Sequence, residues 1–116
     1  MPDQNHLDAF LAGKAAAEGR RQTAIREAHR AFDKAFAEEK ARHARRYHAA
    51  SAAFDAVKST PDIAGYDEVR QAFEIAKEPA DHRKARAELD RAIKAADEAY
   101  QTEIARLGQE HGVTVR

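Results

Sequence analysis

The sequence predicts an all-α protein built as a long antiparallel helical hairpin, coiled-coil-like with an eleven-residue period. Three observations carry this expectation. Alanine contributes 28 residues and all other hydrophobic types together only 22, while glycine (5) and proline (3) are sparse. That is the composition of long helices with little to bury in each turn. Apolar residues also recur on one helical face: at 100° per residue, Ile25, Ala28, Phe32, Phe36, Tyr47, Ala50, Phe54 and Val57 fall within a stripe roughly 100° wide. The third observation is the spacing itself. Ile25, Phe36 and Tyr47 are eleven residues apart, as are Phe32, His43 and Phe54, and the pairs Leu89 and Tyr100, Ile93 and Ile104, Ala96 and Leu107. An eleven-residue repeat corresponds to about 3.67 residues per turn, which favours nearly straight or weakly right-handed packing over a left-handed heptad coil.

The elements follow in order. Nothing from about residue 3 to 58 forbids helix apart from Gly13 and Gly19. Ser59-Thr60-Pro61-Asp62 then reads as a stop and restart, with Thr60 as a cap and Pro61 at the first position of the next helix. A second helix is expected over about 61–78, a break at Pro79, and a third helix over about 80–108, ahead of Gly108 and Gly112. Placed end to end, the second and third helices match the first in length, so the simplest arrangement is a hairpin with an interrupted returning arm. A compact three-helix bundle, bent sharply at Pro79, is the alternative.

Three segments are expected within this one domain. Residues 1–12 hold an apolar cluster, Leu7, Phe10 and Leu11, cut off from the main stripe by Lys14, Glu18 and Arg21. With Gly13 and Gly19 this suggests a hinge, and a short helix or arm that either folds on its own bundle or binds a partner. Residues 13–110 form the hairpin or bundle, and residues 111–116 a frayed tail.

Composition excludes several classes of function. Twenty basic and twenty acidic residues cancel, with a pI of about 7.0, which argues against a surface built throughout for nucleic acid. Without cysteine there are no disulfides, thiolate zinc sites or cysteine nucleophiles. No apolar run approaches the ~20 residues of a membrane span, and the first residues lack the pattern of a secretory signal, so a soluble, cytoplasmic protein without membrane contact is expected. Gly-rich phosphate loops are missing, the two serines, Ser51 and Ser59, lie in no hydrolase context, and thin alanine-rich helices rarely enclose a pocket. No enzyme activity and no cofactor are therefore expected.

Four groups of side chains stand out. Glu39 and His43 lie one turn apart on the apolar stripe and fall opposite Glu78 and His82, beside the break at Pro79. Two glutamates and two histidines are the ligand types of a metal site, but both pairs are spaced by four, unlike the Glu-x-x-His pattern of carboxylate-bridged bundles. A polar layer that fixes helix register is the expectation, with no metal bound; if buried, His43 would make stability depend on pH near 6. Lys40, Arg42, Arg45 and Arg46 form a basic run with no acid from Lys40 to Phe54. It can serve as a solvated face, a binding surface for an acidic protein, or a phosphate-binding patch. The acidic segment Asp62, Asp67, Glu68, Glu74, Glu78 and Asp81 offers a counterpart within the chain or in a second copy. Ile75 lies off the stripe of Tyr66, Val69, Phe73 and Ala76 and marks a contact on the second helix. His6, His29, His48 and His111 are scattered along the chain and expected to be exposed.

These features point to a non-enzymatic helical interaction, adaptor or assembly protein. It is expected to form a homodimer or other homo-oligomer and to present its charged surface, with Leu7, Phe10, Leu11 or Ile75, to a protein partner. A small nucleic-acid-associated protein using Lys40 to Arg46 is the alternative, and a Glu/His metal-binding bundle a further one.

Overall fold

The computed structural model describes residues 3–115 and consists of α1 (Gln4–Val57), α2 (Tyr66–Ala76) and α3 (Arg83–His111), with no strand among the described residues. Met1, Pro2 and Arg116, and with them the outermost ends of the expected N-terminal arm and C-terminal tail, lie outside the described residues. The fold is a long helical hairpin whose returning arm is divided into α2 and α3. α2 meets α1 through Tyr47 and Phe54, whereas α3 meets α1 at Gly13, Arg20 and Arg21, so the two take different segments of α1. A compact three-helix bundle is not needed to account for these contacts.

Local chemistry explains each boundary. α1 starts behind Asp3, whose Oδ1 accepts the His6 amide at 2.9 Å and satisfies one of the N–H groups that a helix start leaves unpaired. It ends at Val57, whose carbonyl accepts both the amide (2.9 Å) and the hydroxyl (3.1 Å) of Thr60. Thr60 thus closes the first helix instead of opening the second. This moves the start of α2 from the expected position 61 to Tyr66: Pro61 to Ala64 form turns, and Gly65, at φ 87°, supplies the left-handed backbone that leads into the helix. Asp67 and Glu68 then sit in the first turn of α2, where the helix dipole favours negative charge.

α2 stops at Ala76 because Pro79 has no N–H to continue the ladder and forces Glu78 away from helical backbone. The next helix starts later than residue 80, at Arg83, behind Asp81, whose Oδ1 accepts the Arg83 amide at 3.0 Å. α3 also runs beyond residue 108 to His111, where the Val113 amide reaches back to the Gly108 carbonyl at 2.8 Å.

Two compact units make up the chain, residues 33–85 on one hand and 3–32 with 86–115 on the other. The second of these holds the core. Phe10, Ala17, Ile104 and Leu107 are buried together, with Tyr100 and Val113 packed against them. Leu89 and Ala96 are buried as well. Burial of each of the four larger side chains contributes about 1.5–3 kcal/mol. In the unit of residues 33–85 no described side chain is buried, although it holds Phe36, Tyr47, Phe54, Tyr66 and Phe73. These rings are half-buried; Phe54 and Phe73 stack with centroids 5.0 Å apart. The members of the eleven-residue series are all half-buried or buried, so the predicted inward face is the observed one.

The structure differs from the expectation of a hinge after residue 12. α1 is continuous through Gly13 and Gly19, and of the two alternatives for the first residues Phe10 in the core fits a helix folded on its own bundle. Gly13 has a packing reason. A Cβ there would lie 2.9 Å from Cδ1 of the buried Leu107, so glycine lets α3 approach α1 closely. Around Gly19 a Cβ meets nothing within 4 Å. Gly19→Ala is therefore expected to stabilise the fold by about 0.5–1 kcal/mol through helix propensity alone. Gly13→Ala should lose that gain to overpacking and destabilise by up to about 2 kcal/mol. Urea unfolding of the two variants beside wild type checks both signs.

Candidate functional site

Within the unit of residues 33–85, the middle of α1 faces the connection between α2 and α3. Because Pro79 ends α2, the main-chain carbonyl of Glu78 has no helical partner, and His43 meets it by donating its Nε2–H. His82 lies flat against Phe36, with centroids 4.1 Å apart and planes inclined by 23°. Its Nδ1 is enclosed without a hydrogen-bond partner. An acceptor lone pair is left unpaired there at lower cost than an N–H would be.

The four residues of the expected polar layer are thus brought to one joint but not to one another. Glu78 contributes its backbone instead of its carboxylate, and Glu39 turns along its own helix to Arg42 at 2.7 Å and Arg46 at 3.3 Å. Among the described residues no group of three or more His, Asp or Glu side chains is placed to hold a metal ion. The joint holds a histidine-to-carbonyl contact and a ring stack, in place of paired ionisable side chains.

Glu39 also changes the character of the basic run. It anchors two of the arginines, and hydrogen bonding from Arg42 first and Arg46 second holds its carboxyl below the usual carboxylate range. Lys40 Nζ lies over the Phe36 ring at 5.4 Å, and Arg45 joins none of these pairs. Among the described residues, Lys40 and Arg45 are the two cations of the patch without an ion pair to an acid.

Of the apolar candidates for partner contact, Phe10 is buried and Leu7 half-buried, whereas Leu11 is 51% exposed and Ile75 57%. Ile75 stands on the wall of an open groove of about 740 Å³ whose floor is largely alanine: Ala49 and Ala50 from α1, Ala72 and Ala76 from α2. Glu39, Arg46, Glu78 and Asp81 also line it, giving both signs of charge around an apolar floor.

Two further arrangements escaped the sequence patterns. Arg21, which interrupts the apolar stripe, donates through Nε to Asp97 of α3 at 2.7 Å and lies over the Tyr100 ring at 5.4 Å. What reads as a break in the stripe is a link between helices. His6 and His111, expected to be unrelated surface residues, meet with their Nδ1 atoms 3.2 Å apart. The hairpin register carries the signal for this pair. From the Arg21 and Asp97 contact it is fifteen residues back to His6 and fourteen onward to His111, the same distance along antiparallel helices.

Comparison with protein-family models, curated proteins and solved structures finds no match to this chain.

The carboxylates give a pH prediction. Asp81 is held far below its ordinary range, by the Arg83 side chain first and the Arg83 amide second, and Glu39 and Glu103 are lowered by their arginines. Groups with depressed folded-state pKa values contribute stability that is present above their unfolded values near 4 and lost as pH falls through the folded values. The urea midpoint should therefore decline as pH falls below about 4. Asp81→Asn retains a capping side chain but cannot titrate, and its decline should be shallower; equal declines would show that the Asp81 and Arg83 pair contributes nothing.

Proposed function

We propose that this protein is a non-enzymatic helical interaction or assembly protein that self-associates as a homodimer and presents a charged helical surface to a protein partner. The observation that carries the proposal is the unit of residues 33–85, where five aromatic residues share a seam yet no side chain is buried. Two helices alone cover only part of each other's apolar faces, and a second pair completes such a seam in four-helix bundles.

The occupant we assign to the open groove is a second copy of the chain. A two-fold interface requires a surface that is complementary to itself. Ile75 is a protruding apolar side chain, and the floor of Ala49, Ala50, Ala72 and Ala76 beside it is a shallow apolar recess, so each copy offers both halves of the contact. Charge supports the same pairing. The α1 segment offers Arg45 and its neighbours, α2 carries Asp67, Glu68 and Glu74, and the whole chain has no net charge to keep copies apart. A stable interface of this kind covers about 800 Å² on each partner.

Nucleic-acid binding through Lys40, Arg42, Arg45 and Arg46 is less favoured, because Glu39 already occupies Arg42 and Arg46. A cytoplasmic location belongs to the same proposal; the polar outer helix faces are compatible with it, and among the described residues no helix is long and apolar enough to cross a membrane.

Size-exclusion chromatography with light scattering on the full chain tests this. Wild type is expected to run as a dimer at high micromolar concentration, and Ile75→Glu to weaken association at least tenfold, a cost of about 1.4 kcal/mol or more. A wild-type monomer at every concentration would contradict the proposal, as would a dimer unaffected by Ile75→Glu.

A further inference from the structure

We infer that His6 and His111 form a two-histidine site for a borderline divalent metal ion of the zinc class, which clamps the start of α1 to the end of α3. The observation is the direct approach of two imidazole nitrogens from residues 105 apart in sequence, Nδ1 to Nδ1 at 3.2 Å, with ring centroids 5.5 Å apart and planes inclined by 50°. Two nitrogen ligands bound to zinc at about 2.0–2.1 Å with a tetrahedral angle lie about 3.3 Å apart. The spacing between the two rings is therefore already that of a metal chelate, and no helix has to move.

Without metal, one ring donates its Nδ1–H to the lone pair of the other. When the ion binds, that proton passes to Nε2 of the same ring. Both Nδ1 lone pairs then face the metal, and each neutral imidazole keeps one N–H. Ligating histidines ordinarily present that remaining N–H to an oxygen acceptor. Near His111 stands the Glu110 carboxylate, with Oε1 4.0 Å from Nε2 and Oε2 bound to Arg106 at 2.6 Å. Asp3 is the other nearby carboxylate, and its Oδ1 is engaged with the His6 amide. Both add negative charge around a cation. The chain supplies two ligands, leaving the remaining positions to water, so the site holds the metal as an open clamp and not as a closed structural centre.

The helix ends make this contact consequential. α1 begins two residues before His6 and α3 ends at His111, so both imidazoles sit where helices fray first. An ion bound only by the folded form raises stability by mass action. The core residues Phe10 and Leu107 lie one turn inside the clamp.

The test uses untagged full-length protein freed of metal, with zinc chloride as the probe. Zinc at a hundredfold excess over its dissociation constant should raise the thermal midpoint of wild type by about 10 °C. His6→Ala and His111→Ala should each abolish that rise, whereas His29→Ala should retain it. His6 is exposed, so His6→Ala folds and decides the matter even if His111→Ala is poorly folded. Imidazole nitrogen spectra of wild type provide a second readout, in which zinc should shift the resonances of His6 and His111 and leave those of His29 and His48 in place. No rise with zinc in wild type, a rise retained in His6→Ala, or shifts confined to other histidines would each overturn the inference.

Discussion

The amount of apolar side chain available per helical turn constrains everything else in this protein. With alanine the dominant hydrophobic residue, a pair of helices can approach closely but removes little surface from water at each crossing. Stability then depends on the few places where large side chains interlock. Leu107 against Gly13 is one such place, since the missing Cβ lets a buried leucine settle directly on the backbone of α1. Phe10 and Ile104 extend that contact into the core.

The two units spend their apolar residues differently. Five of the chain's eight aromatic rings lie in residues 33–85, but the buried side chains lie in the other unit. In residues 33–85 the rings stack on one another and remain half in water. Branched aliphatics such as Leu89, Ile104 and Leu107 are covered. Cations extend this pattern: Lys77 lies 4.4 Å above the Phe73 ring and Lys40 5.4 Å above Phe36, shielding exposed faces with charge instead of with apolar packing. Ion pairs such as Arg21 with Asp97 add links between the facing helices.

Much of the architecture was legible in the sequence, and the parts that were not share a physical cause. Helix periodicity and the breaks at residues 59–62 and Pro79 were sufficient for three helices and for the inward face, because both are local properties. The start of α2 was not, since Thr60 satisfies the end of the preceding helix and Gly65 takes over the restart. Nor was the continuity of α1: Arg21 looks like a break only while Asp97, its partner across the hairpin, is unknown. At the joint, proximity of Glu39, His43, Glu78 and His82 followed from counting outward from the turn, but their bonding did not. Pro79 frees a backbone carbonyl that competes for His43, and Arg42 and Arg46 compete for Glu39. The meeting of His6 with His111 depends on hairpin register over the whole unit, which no local pattern carries.

The central claim is that residues 33–85 are incompletely covered in a single chain and completed by a second. Amide hydrogen exchange at low and high protein concentration measures this residue by residue. Protection of α2 and of α1 around Ala49 and Ala50 is expected to rise with concentration, while that of α3 around Ile104 stays the same. Protection of α2 that is independent of concentration and equal to that around Ile104 would contradict the account.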